Sequence, residues 1–307
     1  MQKVFIDGSA GTTGLKILDR LSKRKDIELI KLSEDLRKDI NARRDAINSS
    51  DIVFLCLPDV AAIESVSLVK NDKVKIIDTS TAHRTASGWE YGFPEIQNRR
   101  ERIANSKRIA NPGCHASGFI SLVAPLIEKG VLDKSTNLTC FSVTGYTGGG
   151  KKMIAEYEGQ DRPILYDAPR QYGLTQKHKH LPEMQAICKL DNLPVFCPIV
   201  APFPQGMEVT VSLFKEQINC GIDKIKEIYK NTYTGKLVHY DDSDNEGGFL
   251  SAGLLAGKDD MSISVYGNDD RMILVSRFDN LGKGASGAAI QNMNILLGVE
   301  ETTGLEF

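Results

Sequence analysis

The sequence predicts an α/β protein: a doubly wound parallel sheet, then a second α+β domain of mostly antiparallel sheet. Three observations carry this. In the first third, short apolar runs alternate with helical patterns, which implies parallel strands buried on both faces. A glycine-rich turn joins the first run directly to the first helix. Beyond about residue 135, strand-like segments follow in series with longer loops and no regular crossover helices.

Taken in order, residues 3–7 read as a strand, 14–24 as a helix and 27–32 as a second strand. The third strand, 51–57, is nearly unbroken in Val53, Phe54, Leu55, Cys56 and Leu57, and 74–78 is the fourth. Ligands of such a Rossmann-like sheet are expected at the carboxyl ends of its strands. The second part carries strands at 137–146, 195–200, 208–214, 261–266 and 272–278, and 284–297 reads as one long helix.

The chain has 307 residues, 41% hydrophobic and 25% charged, with 38 basic against 40 acidic side chains. That length supports two domains with cores of their own. The net charge of -2 leaves no basic excess for a phosphate backbone, so no nucleic-acid partner is expected. No apolar run approaches the roughly 18 residues a membrane span needs, and none near Met1 resembles a signal peptide. The six cysteines form no C-x-x-C pair, which points to reduced thiols in a cytoplasm.

Gly8, Gly11 and Gly14, with Thr12 and Thr13 between the last two, form a G-x-x-G-x-x-G turn at the first strand-to-helix junction. Glycines let the backbone turn tightly and approach a pyrophosphate, and a helix N-terminus favours its charge. After the second strand, Glu34 suits the ribose hydroxyls of NAD, whereas Arg37 and Lys38 suit a 2'-phosphate. The local residues leave that choice open.

Cys114 stands in the turn Asn111-Pro-Gly-Cys-His-Ala-Ser117-Gly before an apolar helix over 119–128. A helix N-terminus stabilises a thiolate, so Cys114 is the candidate nucleophile, and the other five cysteines read as small buried hydrophobes. His115, its neighbour, is expected to point elsewhere. The segment Lys177-His178-Lys-His180-Leu-Pro-Glu183 offers two histidines and a carboxylate, one histidine to act as base and the carboxylate to orient it. H-x-H spacing also suits zinc, but no third ligand is visible and no metal is expected. At the end of the fourth strand, Thr79-Ser-Thr-Ala-His83-Arg84 offers hydroxyls and a guanidinium to an oxyanion.

In order along the chain, GSAGTTG, STAHR, WEYGFPE, NPGCHASG, SVTGYTGGGKK, KHKHLPEM, FPQGM and DNLGKGASGAAIQNMN closely resemble the N-acetyl-gamma-glutamyl-phosphate reductases, in particular their shorter form. The resemblance implies an NADP-linked enzyme of arginine biosynthesis, akin in fold to other semialdehyde dehydrogenases. It makes Cys114 the nucleophile and His178 the acid/base, with His180 and Glu183 in support. Gly8, Gly11, Thr12, Thr13 and Gly14 become the coenzyme turn, with Arg37 and Lys38 beside it, and Asn280 and Gly284 the stretch near the nicotinamide. Arg84 and Ser117 fall on the substrate side. His115 stands where many members have tyrosine. The expected division is a dinucleotide-binding domain over 1–116, completed by a C-terminal helix within 283–307, and a catalytic and oligomerisation domain over 117–282. A small-molecule substrate and a homo-oligomer, dimer or tetramer, are implied. The rival readings are a reductase of aspartyl or carrier-linked amino-adipyl phosphate, and a noncatalytic dinucleotide sensor.

Overall fold

The computed structural model describes residues 1–243 and 245–307, which form two compact units. The first comprises Met1–Pro94, Asn98–Pro112 and Ala285–Leu305. Its elements are β1 (Gln2–Asp7), α1 (Thr12–Ser22), β2 (Ile27–Ile30), α2 (Ile40–Asn48), β3 (Ile52–Leu55), α3 (Asp59–Ser67), β4 (Lys75–Asp78), β5 (Glu90–Tyr91), α4 (Arg99–Ala104) and β6 (Arg108–Ala110).

The six strands pair in parallel in the order β2-β1-β3-β4-β6-β5. Alternation along each strand builds two cores. Val4, Ile6, Phe54 and Ile77 face one side with Ile17 and Leu21 of α1. Phe5, Val53, Leu55 and Ile76 face the other with Ala46, Ile47 and Ala62. The strand order reverses between β1 and β3, and the carboxyl ends flanking that switch point are where such sheets bind ligands. Gly8 lies at this place, directly after β1.

The second unit comprises Glu95–Gln97, Gly113–Gly284 and Glu306–Phe307. It contains α5 (Cys114–Glu128), β7 (Thr139–Gly145), α6 (Gly150–Glu158), β8 (Arg170–Gln171), α7 (Leu181–Cys188), β9 (Val195–Ala201), β10 (Met207–Phe214), α8 (Ile222–Thr232), β11 (Val238–Tyr240), β12 (Met261–Gly267) and β13 (Arg271–Phe278). The sheet runs β11-β12-β13-β10-β7-β9-β8, antiparallel except where β11 meets β12 and β7 meets β9. α5 packs closely on it: a Cβ on Gly118 would lie 2.4 Å from a Val209 methyl, so only glycine permits this approach.

The expected helix at 284–297 divides. A π-helical turn spans Gly282–Ser286, and a regular helix, α9, follows over Gly287–Leu297 before Gly298 ends it at φ +69°. Ala289, Ile290, Met293 and Leu296 of α9 complete the first unit's core beside Val4 and Ile6. Among the described residues no helix is long and apolar enough to cross a membrane.

Candidate active site

Two of the three turn glycines are demanded by the chain itself. Gly8 has φ +88°, and a Cβ there would lie 2.3 Å from the Cys56 carbonyl oxygen. A Cβ on Gly14 would lie 2.5 Å from the Gly8 carbonyl oxygen. Gly11 is different: its backbone is extended, and a Cβ would meet nothing closer than 3.6 Å. Gly11 caps α1 without a side-chain bond, so the first-turn N–H groups at Thr12, Thr13 and Gly14 lack the usual capping oxygen. Beside this turn lies a cavity of about 760 Å³ lined by Gly8, Ser9, Ala10, Glu34, Arg37 and Lys38 among others. Arg37 Nη1 stands 3.7 Å from Glu34 Oε1, both side chains exposed. Beneath the turn, buried Asp7 accepts hydrogen bonds from Arg43 (Nη2, 3.1 Å) and Ser65 (2.8 Å), tying β1 to α2 and α3.

Arg84, also in the first unit, donates from Nε to the Asn111 carbonyl (3.0 Å) and from Nη2 to the Thr79 carbonyl (3.3 Å). His83 Nδ1 sits 2.6 Å from Asp78 Oδ2, and its ring stacks on Trp89 at 4.0 Å. These side chains hold together the strand ends that precede Pro112.

In the second unit, Cys114 opens α5 as its first residue, after Gly113, which caps the helix without a side-chain bond. The Gly113 N–H donates to Glu183 Oε2 at 3.1 Å, so the turn is clamped by a carboxylate that is 1% exposed. His180 is buried, with Nε2 3.9 Å from Glu183 Oε1. His178 is half-buried, and its Nδ1 accepts from the His180 backbone N–H at 3.2 Å, which places the proton of the neutral ring on Nε2. The two imidazoles meet edge to face, 4.8 Å between centroids. Gly284 packs against Cys114, and a Cβ there would lie 3.0 Å from Cys114 Cβ. Asn280 is buried, accepting from the Gly206 N–H (3.0 Å) and donating to Thr147 Oγ1 (3.0 Å). Ser117 is fully buried on α5, and its hydroxyl has no hydrogen-bond partner among the described residues. No cluster of three or more potential metal ligands occurs among the described residues.

The family model described as "Semialdehyde dehydrogenase, NAD binding domain" matches residues 3–106, and "Semialdehyde dehydrogenase, dimerisation domain" matches 114–280. N-acetyl-gamma-glutamyl-phosphate reductase 2 of Nostoc sp. is 44% identical, covering 99% of both chains. The N-acetyl-gamma-glutamyl-phosphate reductase of Brucella ovis is 45% identical, covering 96% of this chain and 99% of its own. The chain belongs to the N-acetyl-gamma-glutamyl-phosphate reductase family. In fold it is similar to aspartate semialdehyde dehydrogenase II of Vibrio cholerae (TM-score 0.73, 17% identity, 97% and 99% of the chains covered). The same holds for the aspartate semialdehyde dehydrogenase with NADP from Candida albicans (TM-score 0.68, 16% identity, 97% and 98% covered).

Within this N-acetyl-gamma-glutamyl-phosphate reductase fold, three residues join the histidine cluster that the sequence did not single out. His115 lies beside both histidines: its ring is 5.9 Å from His178 and 5.6 Å from His180. Its Nδ1 meets Ser142 Oγ at 2.6 Å and its Nε2 meets the Tyr172 hydroxyl at 2.7 Å. Phe196 closes the group, 5.1 Å from His178. Burial, with the nearby His178 adding to it, pushes the His115 pKa down to about 3. Ser142 lies on β7 and Phe196 on β9, where strand alternation marks them as inward-facing but not as part of a site. Tyr172 sits in a polar stretch with no periodic signal at all. All six cysteines are free; burial pushes the Cys56 thiol up to about 12 and the Cys140 thiol up as well, as inert thiols require.

Proposed function

We propose that the protein reduces N-acetyl-gamma-glutamyl phosphate to N-acetylglutamate 5-semialdehyde and phosphate, with NADPH, through a thioester on Cys114. The observation that carries this reading is the meeting, within one unit, of a cysteine at a helix start with a carboxylate-clamped turn and a pair of histidines. Near-full-length identity of 44–45% to reductases of that name supports the choice of substrate.

The Cys114 thiolate attacks the acyl carbon, and phosphate leaves with the electrons of the broken C–O bond. The first-turn N–H groups of α5 stabilise the thiolate and the oxyanion that develops beside it. What the bound coenzyme supplies is a hydride for the acyl carbon. His178, its Nδ1 engaged by a backbone N–H, presents Nε2 as the proton-exchanging atom, protonating the sulfur as the C–S bond breaks and withdrawing a proton in the reverse direction. Glu183 and His180 fix the turn and the second imidazole.

The coenzyme is a nicotinamide dinucleotide, and a glycine cradle with uncapped N–H groups fits its pyrophosphate. Arg37 and Lys38 on the adjoining cavity favour the 2'-phosphate of NADP. The outer face of the second sheet exposes Phe141 (47%), Val195 (53%) and Ile273 (38%), an apolar surface suited to pairing two copies about a two-fold axis. Six free thiols support a reducing cytoplasm as the place of action.

The reading is tested by supplying N-acetylglutamate 5-semialdehyde, NADP and phosphate or arsenate to the purified protein and following NADPH formation. Turnover of aspartate semialdehyde in preference would overturn it.

A further inference from the structure

The charges around the cavity beside the glycine turn are of two kinds. Lys31, Glu34, Asp35, Arg37 and Lys38 line it from the segment after β2, all of them exposed, so water and salt screen their fields. Asp7 and Arg43 line it too, and they are only 3% and 8% exposed. Charges removed from water are screened far less, so this buried pair weighs more at the turn than the exposed groups around it.

The Asp7 carboxylate is fixed in place. The Asp7 carbonyl accepts the Cys56 N–H at 2.8 Å, and Gly8, the next residue, is lodged against the Cys56 carbonyl. Arg43 grips the carboxylate, with Nε 3.3 and 3.2 Å from its two oxygens and Nη2 3.1 Å from Oδ2. Nη2 also donates to Ser65 Oγ at 2.6 Å and Nη1 to Glu64 Oε2 at 2.8 Å, which locks the guanidinium between α2 and α3. Glu64 draws on it only from the solvent side, its side chain 48% exposed. A fixed carboxylate therefore stands directly before the turn whose first-turn N–H groups fit a pyrophosphate. Without a counter-charge it would repel the group that those N–H groups attract.

We propose that Arg43 is a coenzyme-positioning residue: by neutralising Asp7 in place, it lets the glycine turn accept the pyrophosphate of a nicotinamide dinucleotide. Arg43 acts through Asp7 on a group that both coenzymes share, so NAD and NADP are affected alike. That separates it from Arg37 and Lys38, whose effect is expected with NADP alone. The proposal rests on the reading of this cavity as the coenzyme site.

The experiment measures the dissociation constants of NADP and NAD by calorimetry on the full-length protein, in wild type, Arg43→Met, Asp7→Asn and the double variant, with thermal unfolding alongside. Arg43→Met is expected to weaken both coenzymes roughly tenfold or more, because it leaves a buried carboxylate uncompensated. Adding Asp7→Asn to it removes that charge and should restore both to within about threefold of wild type. Asp7→Asn alone keeps an acceptor oxygen for the guanidinium and removes the anion, so it should bind both coenzymes as tightly as wild type or more tightly. A purely structural role for the pair predicts the opposite, and this arm decides the matter even if Arg43→Met does not fold. Weaker binding in Asp7→Asn, a loss confined to NADP in Arg43→Met, or a double variant as weak as Arg43→Met overturns the proposal. A wild type that binds neither coenzyme overturns the reading of the cavity instead, so the two failures are distinct.

Discussion

Glu183 accepts the backbone N–H of Gly113 at 3.1 Å, so a carboxylate 70 residues downstream fixes the turn that presents Cys114. The bond is buried, and the partner left by its removal would have no water to replace it. Glu183→Ala should cost about 1–3 kcal/mol in urea unfolding and lower kcat, because the turn loosens. Glu183→Gln keeps an oxygen at the same place and should retain most of the stability. An alanine variant as stable and as active as wild type would show that the turn holds itself.

Cys114 should be the one thiol that iodoacetamide labels rapidly, since burial keeps the Cys56, Cys140 and Cys220 thiols protonated. Cys114→Ser should abolish reduction with coenzyme binding intact. His178→Ala should lose about a hundredfold or more in rate. Chelators should leave activity untouched; loss that zinc restores would revive a metal site.

The buried, neutral His115 makes a pH prediction with a definite sign. Its folded pKa, near 3, lies below the unfolded value of about 6.5, so between those limits the unfolded chain binds more protons. The stabilisation is therefore full above about pH 6.5 and is lost as pH falls toward 3, by up to roughly 1.4 kcal/mol per pH unit from this group. Urea unfolding of wild type and His115→Phe at several pH values should give a flatter acid limb in the variant. Parallel curves would place the acid sensitivity elsewhere.

The cavity beside the glycine turn sets Arg37 and Lys38 against Glu34. Charge-assisted bonds to a phosphate are worth roughly 1.5–3 kcal/mol each before desolvation. An Arg37→Ala, Lys38→Ala double variant should thus lose kcat/KM for NADP by at least about tenfold while its efficiency with NAD hardly moves. Equal losses with both coenzymes would leave the ribose to Glu34.

If the exposed face of the second sheet is a self-association surface, Phe141→Asp together with Ile273→Asp should halve the mass seen by sedimentation with secondary structure unchanged. A wild type that sediments as a monomer would refute that reading outright.

The parallel sheet was legible because β1, β3 and β4 are apolar and bounded by turn residues, so burial on two faces is written locally. The two- and three-residue strands β5, β6, β8 and β11 were not, since they owe their form to a neighbour's ladder rather than to their own residues. α5 begins at Cys114 rather than at 119: His-Ala-Ser-Gly carries little helical signal, and packing on the sheet decides. Of the candidate site, Cys114 and the H-x-H pair stand out in the sequence because reactive residue types are dense there. Tyr172 does not, because its partner His115 is 57 residues away and nothing in the intervening sequence marks the pairing.

α9 lies more than two hundred positions beyond β1, yet Met293 and Leu296 share a core with Val4 and Ile6. A ribosome therefore delivers the nucleotide-binding sheet long before the helix that seals one side of it. Until that last stretch emerges, the apolar face of the sheet is a surface for chaperones. Truncations that stop short of Ala289 should accumulate as insoluble or protease-sensitive chains, although every residue of the glycine turn is present in them.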